Sequence, residues 1–132
     1  MNVLIDISRG RENVKEAIDQ FFGEQFGISA ITIEELYAGL GFTREKMGEE
    51  VYAKKAAEAN KLLQGYDIFD ITKYILEQAG LMRGKLLAQG LTMDANDLII
   101  GATAKECHAE RIITRNPTHF GAWDIPLVIY EK

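Results

Sequence analysis

Short apolar runs alternate with segments of helical periodicity along nearly the whole chain. Val3-Leu4-Ile5 ends at Asp6 and predicts a short buried strand finishing on a carboxylate. Over residues 12–22, Val14, Ala17, Ile18, Phe21 and Phe22 recur at helical spacing, and Gly23 marks the exit. Residues 28–31 read as a second strand. Thr32, with Glu35 three residues on, has the form of a capping box opening a helix that carries Leu36, Tyr37 and Leu40 and weakens at Gly39 and Gly41. A long polar helix over residues 43–64 follows, with Val51, Tyr52, Ala56, Ala59, Leu62 and Leu63 as its apolar stripe.

Residues 66–71 alternate like a strand, and Thr72 opens a helix through Ile75, Leu76, Ala79, Met82, Leu86 and Leu87 that Gly90 ends. Asp94 stands where an N-cap belongs for a helix from Ala95 to about His108, with Asp97 at its third position. Arg111-Ile112-Ile113-Thr114 reads as a strand, Asn116-Pro117 as a turn, and residues 126–130 as a further strand near a sheet edge. Strands alternating with helices predict an α/β fold. Its mainly parallel central sheet of four to five strands would be flanked by helices on both faces.

Composition narrows the class. The 132 residues fit one domain spanning 1–132, with 47% hydrophobic and 27% charged residues and no biased tract. No run approaches the roughly 20 apolar residues that cross a bilayer, and the N-terminus lacks the pattern of a secretory signal, so a cytoplasmic protein with no membrane partner is expected. Cys107 is alone and sits in a helical pattern, as a small apolar residue rather than a nucleophile. The net charge of −5 argues against a broad electrostatic grip on nucleic acid, while leaving room for a local basic edge.

The acids carry the chemistry. In open α/β sheets the working groups lie beyond the carboxyl ends of the strands. Asp6 ends the first strand, Glu35 and Asp97 fall in first helical turns, and Asn116 follows the strand at 111–114. Four oxygen ligands from four separate segments would meet at one end of the sheet. Hard oxygen donors with few His or Cys point to Mg²⁺ or Mn²⁺. A divalent ion so held activates water and stabilises the departing oxyanion of a phosphodiester, which makes hydrolysis of a nucleic-acid backbone the leading reaction.

The motifs Ile28-Ser29-Ala30-Ile31-Thr32-Ile33-Glu34-Glu35-Leu36, Asp97-Leu98-Ile99-Ile100-Gly101-Ala102-Thr103-Ala104 and Ile113-Thr114-Arg115-Asn116-Pro117-Thr118-His119-Phe120, in that order, resemble those of PIN-domain ribonucleases, specifically the VapC-type toxins. The resemblance implies a PIN-like domain, a metal-dependent endoribonuclease cleaving RNA, a homodimer, and a cognate antitoxin that blocks the site. Position by position it makes Asp97 the central acid and Glu35 the acid of an ELxxG-like motif, both metal ligands. Asn116 matches a fourth position often filled by Asp, acting through water or on a second ion, with Thr114 as polar support. Glu34 stands where the family usually has an uncharged residue.

The first motif departs from the family. On one register Asn2-Val3-Leu4-Ile5-Asp6 matches the second half of the family's opening phrase, and the first catalytic Asp would precede Met1. On the other, residues 2–5 form the central strand and Asp6 is the metal ligand. The second is preferred, because a parallel sheet without its central strand leaves buried backbone groups unpaired. A catalytically silent PIN-like binding protein is the alternative that this departure and Asn116 raise. A nucleotide-binding module is disfavoured by the lack of a Gly-rich phosphate loop.

The remaining candidates have simpler readings. His108 suits a helix end and His119 a packed loop, so neither is assigned to catalysis. Arg9, Arg11, Arg44, Lys46 and Arg115 read as scattered surface charge with phosphate contact as the alternative. Tyr37, Tyr52 and Met47 suit core, dimer or antitoxin surface alike.

Overall fold

The structure, a computed structural model, describes residues 2–5, 18–21, 23–114 and 120–129. The strands are β1 (Asn2–Ile5), β2 (Gln25–Ser29), β3 (Asp67–Phe69), β4 (Arg111–Thr114) and β5 (Leu127–Ile129). The helices among the described residues are α1 (Ile31–Met47), α2 (Glu49–Leu63), α3 (Lys73–Ala88) and α4 (Ala95–Glu106), with a 3₁₀ turn at Gly121–Trp123. Residues 12–17 of the first expected helix lie outside the described residues, and only Ile18 and Asp19 are seen as helical.

The strands are short and lie in the order β3-β2-β1-β4-β5, every neighbouring pair parallel. β1 therefore runs through the middle of the sheet, as the preferred register expects. Ile5 pairs with Ile113, Ser29 with Phe69 and Thr114 with Ile129, so all the carboxyl ends share one edge. β5 occupies a flank, the position expected from Pro126 just before it.

Adjacent residues on β4 serve opposite faces. Ile112 packs with Ile75, Ala79, Leu86, Leu98, Ile100, Phe120 and Trp123, whereas Ile113 joins Ile28 with Ile18, Phe21, Ile33 and Leu63. The two-residue period of a strand divides the core into these two clusters, so both faces are covered.

Several boundaries differ from the expected ones, each for a local reason. β2 ends at Ser29 rather than 31, because the buried Ser29 hydroxyl accepts from the Ile31 N–H at 3.3 Å and turns the chain into α1. Thr32 therefore lies inside the first turn, not at the cap; its hydroxyl is buried and has no partner among the described residues. Glu35 becomes the fifth helical residue, and no capping box forms. The chain passes Gly39 and Gly41 as helix and breaks instead at Gly48, whose φ of 93° places it where L side chains are disfavoured. The Gly48 N–H donates to the Arg44 carbonyl at 2.9 Å, and its carbonyl accepts from Tyr52 at 3.1 Å, so one residue closes α1 and opens α2.

The other caps follow the pattern. The Thr72 hydroxyl accepts from Ile75 N at 3.2 Å and the Asp94 carboxylate from Asn96 N at 2.8 Å. α3 ends with Gly90 at a φ of 78° and paired bonds from Gly90 to Leu87 and from Leu91 to Leu86. α4 stops at Glu106, two residues before the expected end, with the same bond pattern running from His108 to Lys105 and Ala109 to Ala104. β3 covers only residues 67–69 of the expected 66–71. No helix of the described residues is long and apolar enough to cross a membrane.

Candidate active site

α4 ends four residues before β4 begins, so it runs back along the sheet and its first turn points toward the carboxyl edge of the strands. Its height is fixed by a buried hydroxyl pair. Thr103 donates to the Ile99 carbonyl at 2.7 Å and shares a 3.3 Å hydrogen bond with Ser29 Oγ at the end of β2. Asp97 lies six residues earlier, about 9 Å farther along the helix axis, beyond that edge. α1 leaves the same edge from Ser29 and packs on α4. One linkage, Thr103 to Ser29 to the Ile31 N–H, thus ties together the helices that carry Asp97 and Glu35.

The two acids differ in setting. Asp97 is half-buried in the first turn of α4, where the free N–H groups favour negative charge. Its own helical stripe continues through Gly101 and Ala104, both buried. Gly101 is required there: a Cβ would overlap the indole of Trp123, so the absent side chain lets the Trp123 ring lie against the helix one turn below Asp97. Glu35 is exposed on α1, and Glu34 beside it is exposed as well.

Asp6 and Asn116 lie outside the described residues, as do Arg9, Arg11, Arg115 and His119. In sequence Asp6 directly follows Ile5, the last residue of the central strand, and Asn116 stands two residues after the buried Thr114 that ends β4. Among the described residues no three His, Cys, Asp or Glu side chains gather closely enough to hold a metal, and of the four expected groups Glu35 and Asp97 alone are described. The expected donors are oxygens throughout, three carboxylates and the Asn116 amide, which suits a hard divalent cation and not zinc. Asp94 caps α4 through the Asn96 N–H.

Three other candidates have structural occupations. Arg44 lies 4.7 Å from the Tyr52 ring centroid and 3.9 Å from Glu49, holding the α1–α2 turn. The Tyr37 hydroxyl donates to Asn60 Oδ1 at 3.1 Å across the same helix pair. Cys107 closes α4 half-buried, and burial raises its thiol above the usual range, which suits an inert residue. The Ser29–Thr103 pair escaped the sequence reading. A polar residue placed among apolar neighbours in both motifs was the available signal.

The PIN domain family model matches residues 1–120. The chain belongs to the PIN domain family. Ribonuclease VapC4 of Mycobacterium tuberculosis is 28% identical to this PIN domain over 110 residues, covering 83% of this chain and 81% of that one. A chain of VapBC2 from Rickettsia felis, crystallised bound to a DNA fragment from its promoter, superposes with a TM-score of 0.80 at 18% identity, over 99% of this chain and 100% of that one. A chain of a toxin–antitoxin complex from Klebsiella pneumoniae gives 0.64 at 26% identity, over 96% and 95%.

Proposed function

We propose that this PIN domain is a Mg²⁺- or Mn²⁺-dependent endoribonuclease and the toxin of a type II toxin–antitoxin pair. What supports the reading is that the helices bearing Asp97 and Glu35, tied by Ser29 and Thr103, begin on the carboxyl side of a parallel sheet whose central strand is followed in sequence by Asp6. Asp6, Glu35 and Asp97 would hold the cation and Asn116 would orient water or a second ion. When bound, the cation supplies an activated water and charge stabilisation at the phosphorus. The protein's part is to fix the acids, with Asp97 in the first turn of α4, and to align the scissile phosphate for in-line attack that leaves a 5′-phosphate; no protein nucleophile is required. Similarity to a named ribonuclease supports the activity, and similarity to a toxin–antitoxin complex supports an antitoxin partner. A homodimer acting in the cytoplasm completes the reading. Purified chain is expected to cleave single-stranded RNA with Mg²⁺ or Mn²⁺, to stop on chelation, and to lose cleavage in Asp97→Asn. Undiminished cleavage by that variant overturns the assignment.

A further inference from the structure

Glu35 is followed along α1 by Ala38 and Gly39, then by Phe42 seven residues on and Lys46 four residues after that. Residues at spacings of three, four and seven share one face of a helix, so these five form a single track. It is the open face. Leu40 and Thr32 are buried, while Tyr37 and Arg44 turn toward α2. Phe42 is 65% exposed, and the Lys46 Nζ lies 5.8 Å from the centroid of its ring. Lys46 forms no ion pair among the described residues, and a Cβ at Gly39 would meet nothing within 4 Å. Between positions 35 and 42, about 10 Å apart along the axis, the helix therefore has a floor of small side chains.

We infer that Phe42 and Lys46 form a substrate subsite for single-stranded RNA, Phe42 stacking an unpaired base and Lys46 meeting its phosphate, a short way along the strand from the bond held at Glu35. This inference rests on the ribonuclease reading. An exposed aromatic ring with a cation beside it is the standard platform for an unpaired strand, since every base has a π-face and every nucleotide a negative charge. A partner helix would instead call for a row of apolar anchors. Ala38, Gly39, Glu45 and Lys46 are the neighbours of Phe42 at helical spacing, and Ile31 of the same track packs against the core, so the exposed part of this face carries one ring and no row. Lys46 is the cation on a face that otherwise carries Glu34, Glu35 and Glu45.

The test is fluorescence anisotropy of a labelled short oligouridylate with the full chain in EDTA at low salt, alongside cleavage kinetics in Mn²⁺. Phe42→Ala is expected to weaken binding roughly tenfold and to raise KM with kcat little changed, whereas Phe42→Trp keeps wild-type affinity. Lys46→Gln lowers the slope of log affinity against log salt by about 0.7, the share of one phosphate on a single strand. Unchanged RNA affinity in Phe42→Ala overturns the subsite, and with an altered sedimentation coefficient it assigns the ring to a contact between copies of the chain. Cleavage lost in Asp97→Asn with affinity indifferent to Phe42 leaves the nuclease standing without the subsite. Binding that depends on Phe42 in a chain that cleaves nothing leaves the subsite and removes the nuclease.

Discussion

Two single residues sit where the backbone and the side chain disagree. His108 follows the end of α4 with a φ of 56°, in the position that Gly90 fills after α3 at 78°, and both helices close with the same pair of backbone bonds. An L side chain in this left-handed region is penalised by its Cβ, and glycine is not. His108→Gly is therefore expected to raise stability by about 0.5–1 kcal/mol, read as a higher urea midpoint at unchanged slope. A lowered midpoint would mean that the imidazole contributes more near the negative helix end than the strain costs. Gly101 presents the opposite case. A methyl there meets the Trp123 ring, so Gly101→Ala is expected to cost about 1–3 kcal/mol and, because the contact lies one turn from Asp97, to lower the activity of the folded fraction as well. Full stability in that variant would show that the Trp123 ring can yield.

At the scale of elements, the N-terminus of α4 divides two acids that the sequence places three residues apart. Asp94 accepts from the Asn96 N–H and belongs to the helix; Asp97 is the acid that the proposed function assigns to the site. Asp94→Ala should cost about 1 kcal/mol and leave metal-dependent cleavage per folded molecule intact. Asp97→Asn should abolish cleavage while the melting curve keeps its two-state form; a melting curve that collapses in Asp97→Asn, with activity tracking the folded fraction, would return Asp97 to a structural role. Asp94 as a cap was legible in the chain, as were Thr72 as a cap, Gly90 as a stop and the strand at 111–114. Each of these rests on a local rule that the fold had no reason to override. The start of α1 was not legible, because Thr32 and Ser29 both carry a hydroxyl. Only the packing of α4 against β2 decides that Ser29 takes the Ile31 N–H while Thr32 is buried. The break at Gly48 was missed for a related reason: three glycines compete over ten residues, and a helix passes through any that it need not bend. Of the proposed site, Asp97 was readable as an acid in a first helical turn, whereas Glu35 falls one residue beyond that turn because α1 starts at Ile31. Their joint support by Ser29 and Thr103 was not, since the two hydroxyls are 74 residues apart.

Across the whole molecule, the short central strand β1 depends on what its neighbours do at the edge away from the site. Arg111 begins β4 and pairs in register with Val3, while Gln25 begins β2 and pairs with Asn2. The Arg111 guanidinium reaches Glu24 with Nη1 at 3.1 and 2.9 Å from the two carboxylate oxygens, and it lies 4.7 Å from the Phe21 ring centroid. One side chain thus connects the two strands that flank β1 and covers an aromatic ring of the second core cluster. The pair is largely shielded from water, with side chains 29% and 18% exposed, so it is screened less than a surface ion pair, and removing either half leaves a partly buried charge. Arg111→Ala is expected to lower stability by about 1–3 kcal/mol, with Glu24→Gln costing less because a neutral hydrogen bond can persist. The strands are short, but this edge is still about 10 Å from the carboxyl ends, four residues at the rise of a strand. Cleavage per folded molecule should then be indifferent to either substitution, measured well below the melting temperature. A fall in kcat with stability preserved would instead mean that the position of β1, and with it Asp6, is set from the amino edge of the sheet.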